Sequence, residues 1–534
     1  MTTTTMTPRR SGAQGHARFG QLLRAEWIKF RTVRGWIIAM VVGALVMVAW
    51  GLLVANGGSS TCQSSPTSPV QSGAACLPRY PLGPGGEAVT DSFYFVHQLL
   101  AGNGSVTVRV TSLTGRYSKG GIAPGPDPEA DFASGTQPWS KAGIIIKASA
   151  KPGSAYAAMM VTGGHGVHMQ SDYTGDIAGL PGAVSAASPR WLRLTRSGDT
   201  LTGYESVNGI RWSIVGTAHL AGLPATVQAG MFAASPDVSR VVSQSLGGGT
   251  SAGGPSLATA VFGHVSLSGA RRGGGWGGDI VGGSSGGLPA SVSGYRNAGG
   301  GFTVTGTGDI APLAAGSDAS TVGQYLTGAF AGLIAVVVVA VMFITAEYRR
   351  GLIRITLAAS PRRGRVLAAK AIVAGAVTFV AGLAAAAVVV PLAGRLSHAR
   401  GSYVLPVTAL TELRVIAGTA ALLAVAAVLA LAIGTALRRS AAAVAAGIVV
   451  IVLPYILGTA SLLPVGAEDW LLRLTPAAAF AIQQTTPAYP QVTASYTPTA
   501  GYFPLAPWAG LAVLCAWAAL ALGLAGILLR RRDA

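Results

Sequence analysis

Charge is scarce in this sequence, and acid is scarcer still. Of 534 residues only 11% are charged, with 19 Asp and Glu against 38 Lys and Arg. A soluble domain carries about 25% charged residues to keep its surface hydrated, so this balance excludes an ordinary soluble enzyme. Half the residues are hydrophobic, which belongs to a membrane protein. Three cysteines are too few for a disulfide scaffold. Cys62 and Cys76 fall in a stretch read as lying outside the membrane, where a disulfide closing a short loop is permitted, and Cys515 sits in an apolar run and reads as packing. No Gly-x-x-x-x-Gly-Lys-Ser/Thr phosphate loop occurs, so ATP hydrolysis by that route is excluded. No ionisable residue lies deep in an apolar run, which argues against an ion-coupled carrier. His165 and His168 flank a Gly turn without a Cys or carboxylate at metal spacing and read as surface histidines; Asp172 and Asp176 are a weak calcium-loop signal. The sequence therefore predicts no enzyme, no catalytic residue, no metal site and no cofactor.

What the chain does have is long apolar runs bordered by arginine. Six are long enough to span a bilayer as helices: 36–55, 323–346, 371–394, 415–437, 441–463 and 507–529. Half of the basic residues cluster beside these runs: before Trp36, between Arg349 and Lys370, at Arg438 and Arg439, and at Arg530 to Arg532. Short loops rich in Lys and Arg stay on the cytoplasmic side. With the loop 347–370 inside, alternation puts both termini inside and residues 56–322 outside, and all four clusters fall inside together. Arg395, Arg400 and Arg414 conflict mildly with that topology. The charge distribution reads as orientation and lipid contact, not nucleic-acid binding. The first run lacks a cleavage pattern and is expected to stay as an anchor. Before it, Phe19 to Val33 places Phe19, Leu22, Leu23, Trp27 and Phe30 near one helical face; this is either a cytoplasmic interfacial helix (within 1–35) or an extension of the first span.

The 267-position insert 56–322 is too long to be a loop. Residues 56–86 are a Ser/Pro/Gly-rich stalk. Residues 87–270 consist of short β-rich runs with apolar residues at alternate positions and turn signals such as Asn208-Gly209, the texture of an antiparallel all-β jelly-roll sandwich. A Gly-rich linker, 271–322, ends in a last short strand. Trp139, Trp191 and Trp212 are either sugar platforms or, the favoured reading, core packing. The outer segment 464–506 reads either as partly helical and re-entrant or as an ordinary loop. Residues 530–534 are a cytoplasmic tail.

At Glu347 the sequence reads EYRRGLIRITLAASPRRGRVLAAKAIV. This resembles the first cytoplasmic loop of actinobacterial type-2 ABC transporter permeases, and the resemblance extends to LLRAEWIKFRTVRGW (Leu22 to Trp36), to IGTALRRSAAAVAAGIVVIVLP (Ile433 to Pro454) and to TPAAA (Thr475 to Ala479). It implies a coupling helix in 347–370 that docks on a separate ABC ATPase subunit, through Glu347, Tyr348, Arg349, Arg350, Arg354, Pro361, Arg362, Arg363 and Arg365. It further implies a second permease chain, identical or different, in a bacterial plasma membrane, with export favoured over import. On physical grounds Gly351 to Ala359 is helix-compatible, Ser360 caps and Pro361 starts the next helix, and Glu347 is expected to pair with one of the arginines. The arginines suit either an acidic partner or lipid phosphates. In the insert, DSFYFVHQLLAGNGSVTVRVTSL, PWSKAGIIIKAS and PRWLRLTRSGDTLTGYESVNGIRWSIVG resemble laminin-G/concanavalin-like jelly rolls of bacterial surface proteins, which implies possible contact with an extracellular glycan. The rival class is a membrane-anchored glycan-binding or sensory protein without transport, although one helix would suffice as an anchor.

Overall fold

The computed structural model describes residues 19–57, 80–119, 132–244, 248–283, 288–315, 319–351, 363–460, 463, 465–494 and 496–532. Cys62 and Cys76, Arg354, Pro361 and Arg362 lie outside the described residues.

Helix α1 (Phe19–Thr32) stops at Val33, and α2 (Arg34–Gly57) starts afresh. The first segment is thus a separate helix and not an extension of the span. The other long helices are α3 (Ala329–Arg349), α4 (Arg363–Ala399), α5 (Ala409–Leu437), α6 (Ser440–Thr459) and, after a shorter α7 (Val465–Leu474), α8 (Pro507–Arg532). Six of these, α2 to α6 and α8, are long and apolar enough to cross a membrane. They bury one continuous apolar core, including Met47, Val337, Phe343, Val389, Leu422 and Phe480. Helix α4 begins at Arg363, not at Ala371, and its 37 residues reach about 55 Å at 1.5 Å per residue. Its basic first turns read as loop in sequence, yet Lys370 is fully buried there. A π-turn at Ile448–Val452 precedes Pro454 in α6 and absorbs the carbonyl that proline cannot serve. After α7, a 3-10 segment (Pro476–Gln483) has every residue buried, and the Gln483 amide donates to Leu326 O (3.2 Å) and Thr419 Oγ1 (3.3 Å). Among the described residues of 464–506 the segment is helical from Val465 to Gln483 and largely irregular beyond it. Arg414 donates to the Gln484 carbonyl at the end of that helical stretch, which gives this conflicting arginine a local partner.

The insert is an antiparallel β-domain. Its strands in chain order are β1 (Val89–Asp91), β2 (Phe93–Ser118), β3 (Phe132–Ser134), β4 (Lys141–Lys147), β5 (Tyr156–Thr162), β6 (Val167–Ser171), β7 (Gly175–Ala178), β8 (Arg190–Ser197), β9 (Thr200–Ser206), β10 (Ser213–His219), β11 (Thr226–Ala234), β12 (Val238–Gln244), β13 (Gly248–Gly254), β14 (Ser256–Val281), β15 (Gly294–Ala298), β16 (Gly301–Gly306) and β17 (Ile310–Pro312). One long ribbon, β2 with β14, makes both layers. The first half of β2 pairs with β11 and the second half with β8. Between them Gly102 takes φ +67°, a left-handed turn that suits a residue without Cβ. The back layer runs β2-β11-β4-β5-β6-β7, and the front layer runs β10-β9-β8-β2-β14-β16-β15. Val96, Val108, Ile144, Met159, Leu192 and Phe262 fill the space between them. Residues 271–281, expected as linker, instead continue β14 against β2: Arg271 and Arg272 and, after a bulge, Gly277 to Val281 pair with it, a backbone ladder that needs no side chains.

The back layer is buried on its second face too. Every residue of β4 and β5 is buried, and Phe93, Ile145, Tyr156, Phe232 and Ile310 form a separate cluster there under the β1·β17 ribbon. Two buried lysines at the ends of β4 fasten that ribbon: Lys141 donates to Asp309 (2.6 Å), and Lys147 to Asp91 (2.7 Å) and Tyr173 Oη (3.0 Å). This covered side meets the loops of the helix bundle. Gln491 donates to Tyr173 O (3.4 Å), Ala315 N to Tyr502 Oη (2.9 Å), and β18 (Ala319–Ser320) pairs with β19 (Tyr403–Val404).

Removing one partner of a buried ion pair costs roughly 3–5 kcal/mol, so Lys147→Met, which leaves Asp91 charged and buried, should lower the unfolding stability of the β-domain by that amount in thermal denaturation. Alkali should act through the same cluster. Burial, then the charge of Asp91, raises the Tyr156 and Tyr173 pKa above the ordinary value of 10.0. The folded form therefore keeps protons that the unfolded form loses, and stability falls as pH climbs past 10. Burial, only partly offset by Asp91, lowers the Lys147 pKa below 10.5, an opposite contribution that is exhausted above pH 10.5. Near-ultraviolet circular dichroism should show alkaline unfolding above that point, with a shallower pH dependence for Tyr173→Phe.

Candidate functional site at the foot of the helix bundle

Four charged side chains from three helices meet at one end of the bundle. Lys370 of α4 is fully buried and donates to Glu26 Oε2 of α1 (2.6 Å) and to Glu347 Oε1 of α3 (2.7 Å). Lys29, one turn along α1, donates to Glu26 Oε1 (2.8 Å) and Glu347 Oε1 (3.0 Å). The quartet is neutral in sum. Glu26 is fully buried and Glu347 nearly so, whereas the Lys29 side chain is 41% exposed. Burial opposes the Lys29 ammonium, but hydrogen bonds and charge from Glu26 and Glu347 outweigh it and raise its pKa.

Aromatic rings floor the quartet. Phe30, Trp36 and Phe343 pack edge to face or tilted with centroids 5.3–5.7 Å apart, and the Lys370 ammonium lies 4.5 Å from the Phe343 centroid. This low-dielectric setting strengthens the pairs and makes an unmatched charge expensive. One acceptor, Glu347 Oε2, is buried without a hydrogen-bond partner among the described residues. The local sequence explains the assembly. Glu26 and Lys29 stand at i and i+3 on α1, Glu347 ends α3 and Lys370 sits in the second turn of α4 after Arg363, so the quartet brackets both roots of the basic loop.

The sequence-predicted residues divide around this core. Among the described residues Glu347 pairs with two lysines and with no arginine of its loop, because α1 and α4 bring amines to it and Arg349 and Arg350 are exposed. Arg349 and Arg350 are exposed at the end of α3, followed by Gly351 at φ +66°. The Arg438 guanidinium lies 5.2 Å from the Tyr348 ring centroid. Arg363 donates to the Leu529 carbonyl of α8 (2.7 Å), and Arg365 is exposed. Glu26 and its role as a buried acid were missed; with only 19 acids in the chain, an acid facing the apolar side of an interfacial helix was the available signal.

Elsewhere two expectations are corrected. His168 is not a surface residue: it is buried, with Nδ1 3.0 Å from Asp176 Oδ2 and Nε2 3.2 Å from the His165 carbonyl. The β6·β7 hairpin, which pairs His168 opposite Ala178, supplies that carboxylate. His165 stacks on buried Trp139 at 4.0 Å. Trp191 and Trp212 do not pack in the core: Trp191 takes the open face of the front layer because Leu192 and Leu194 take the core side of β8, and Trp212, just before β10, lies against Arg193 on that same face. Among the described residues no group of three His, Cys, Asp or Glu is placed to hold a metal; the Asp172 carboxylate accepts from Tyr156 N (3.0 Å).

The family described as "ABC-2 family transporter protein" matches residues 168–534. No curated protein matches the chain. Among solved structures, a functionally unknown protein from Saccharomyces cerevisiae is similar at 16% identity, covering 41% of this chain and 99% of its own, with a TM-score of 0.21. Scytalido-glutamic peptidase with a transition state analog inhibitor is similar at 8% identity, covering 42% of this chain and 100% of its own, with a TM-score of 0.24.

The quartet sets a graded expectation. Lys370→Met, which leaves two buried carboxylates facing each other, should cost roughly 3–5 kcal/mol. Lys29→Ala, at a half-exposed position, should cost about 1 kcal/mol or less. Thermal unfolding of the detergent-solubilised chain measures both.

Proposed function

The chain belongs to the ABC-2 transporter family, and from that premise we propose that it is the membrane-spanning subunit of an ATP-driven exporter whose energy enters at the basic loop between α3 and α4. Membership makes it a multi-pass membrane component, not itself catalytic, with an ABC ATPase as partner. The finer reading puts α1, the loop 347–370 and the last turn of α8 in the cytoplasm of a bacterial cell and residues 56–322 outside. A second permease chain completes the path, and the apolar groove of about 770 Å³ between α2 and α4, lined by Met40, Val41, Val380 and Ala384, supports apposition of a second chain or lipid there.

The observation that carries the coupling role is the buried quartet. A loop rooted in flexible ends would dissipate the motion of a docked ATPase. Here Glu347 just before the loop and Lys370 just after it are tied to each other and to α1, so a push on the loop shifts α1, α3 and α4 together. Exposed Arg349, Arg350 and Arg365 present positive charge for an acidic surface on the ATPase, with Arg354, Pro361 and Arg362 in the same loop. Glu347, Tyr348 and Arg363 hold the roots of the loop instead. The β-domain stands beyond the opposite end of the bundle, where it serves contact with a glycan, a substrate or a partner.

Charge reversal tests this reading. Arg350→Glu with Arg354→Glu should weaken association with the cognate ATPase about tenfold or more and abolish permease-stimulated ATP hydrolysis. Unchanged pulldown and unchanged stimulation would sink it.

A further inference from the structure

The outer face of the front layer is a surface without an assigned role. The covered side of the back layer meets the bundle loops through Tyr173 and Ala315, so the front layer's open face points away from the bundle. Along β8 the residues alternate between buried and half-buried, and the register aligns the half-buried ones: Arg193 opposite Thr107 and Tyr204, Trp191 opposite Arg109 and Ser206. The Arg193 Nε donates to Thr107 Oγ1 (3.2 Å), and its guanidinium lies 4.0 Å from the Trp212 ring centroid. Arg193 is thus held over one face of the Trp212 ring, leaving the ring's other face and the rim of the guanidinium to the surface.

The charges on this face are not neutralised internally. No ion pair of Arg109 or Arg193 occurs among the described residues, and neither Arg109 nor the Tyr204 hydroxyl has a hydrogen-bond partner there. Strands β8, β10 and β16 contain no acid, and the one acid of β9, Glu205, is buried and accepts from Leu180 N (2.9 Å). A buried carboxylate turned away, two arginines turned out, aromatic rings and a surround of Ser and Thr hydroxyls form a recognisable chemistry. Planar rings take the C–H faces of sugars, and guanidinium forks take carboxylate or phosphodiester oxygens.

We propose that this face binds an anionic polysaccharide, a sugar or polyol chain carrying carboxylate or phosphodiester groups, through Arg109, Arg193, Tyr204 and Trp212. The proposal rests on the reading that residues 56–322 lie outside the cell. Single-stranded nucleic acid would also use arginine and aromatic rings, but Trp191 is backed by Gly209, where an added Cβ would stand 2.8 Å from the ring, and it offers no open stack for successive bases.

The test uses the full chain in lipid nanodiscs with four immobilised probes: polygalacturonate, poly(glycerol phosphate), neutral dextran and poly(dT). One or both anionic chains should bind at least tenfold more tightly than dextran and poly(dT), and the two anionic probes separate carboxylate from phosphodiester recognition. Arg109→Ala with Arg193→Ala should weaken that binding at least tenfold with the thermal midpoint unchanged. Trp212→Ala should weaken it severalfold while leaving inorganic polyphosphate binding as it was. Equal binding of dextran, preference for poly(dT), no binding to any probe, or an unaffected double variant would overturn the proposal. Location is decided separately, by labelling Ser266→Cys in intact cells with a membrane-impermeant maleimide. Failure to label overturns the outside placement, whereas the polymer probes decide the binding face on their own.

Discussion

Burying a charge demands an opposite charge at hydrogen-bond distance, and this molecule meets that demand at its two mechanical joints. At the foot of the bundle Lys370 has no access to water and answers to Glu26 and Glu347. In the β-domain Lys141 and Lys147, equally enclosed, answer to Asp309 and Asp91. Hydrophobic contact would hold these elements together without fixing which helix or strand sits where, since one apolar surface slides on another at little cost. An ammonium that has to reach a particular carboxylate does not slide. Four of the 19 acids, Glu26, Glu347, Asp91 and Asp309, stand at these two joints.

The six apolar helices and the alternating strands were legible in the sequence because they depend on periodicity, a property of neighbours along the chain. The roles of single residues were legible only where neighbours decided them. Glu347 was assigned to an arginine of its own loop because those were the nearest cations in sequence, while its actual partners come from α1, 318 positions away, and from α4, 23 positions away. His168 was placed at the surface because its turn looks exposed; the hairpin that brings Asp176 to it is a matter of register. Trp191 and Trp212 were assigned to the core on aromatic character alone. For Trp191 the face is set by parity with Leu192 and Leu194 on β8, and that parity is present in the sequence; Trp212 lies outside the strands and is placed by its contact with Arg193. The stretch 271–281 shows the reverse error, in which glycine content obscures a backbone whose pairing with β2 needs no side chains.

The geometry also joins the two ends of the molecule along one element. Helix α3 ends at the quartet through Glu347. Its other end continues from a 3-10 turn, Val322–Leu326, that is capped by Thr321 and Gln324 in a reciprocal pair. Tyr325 in that turn donates to Ser397 of α4 (2.7 Å), and one residue before the cap, Ser320 belongs to the strand that pairs with Tyr403–Val404. A rigid helix of 21 residues therefore runs from the proposed docking loop to the base of the β-domain, with side-chain ties to α4 at both ends.

That continuity bears on why the β-domain is seated as it is. A domain hung on a stalk needs no contact with the helices. This one presents a doubly buried layer to the bundle and closes hydrogen bonds to the loops before α5 and between α6 and α8. Those loops belong to helices in contact with α3 and α4: α5 packs against both, and α8 is tied to α4 through Arg363. Seating the domain on several loops makes its position a readout of the arrangement of the helices. The open arginine-bearing face lies on the far side of that seat. The ion pairs at the foot and the ion pairs under the β1·β17 ribbon thus stand at the two ends of one path of contacts, each fixing the orientation of the elements it joins.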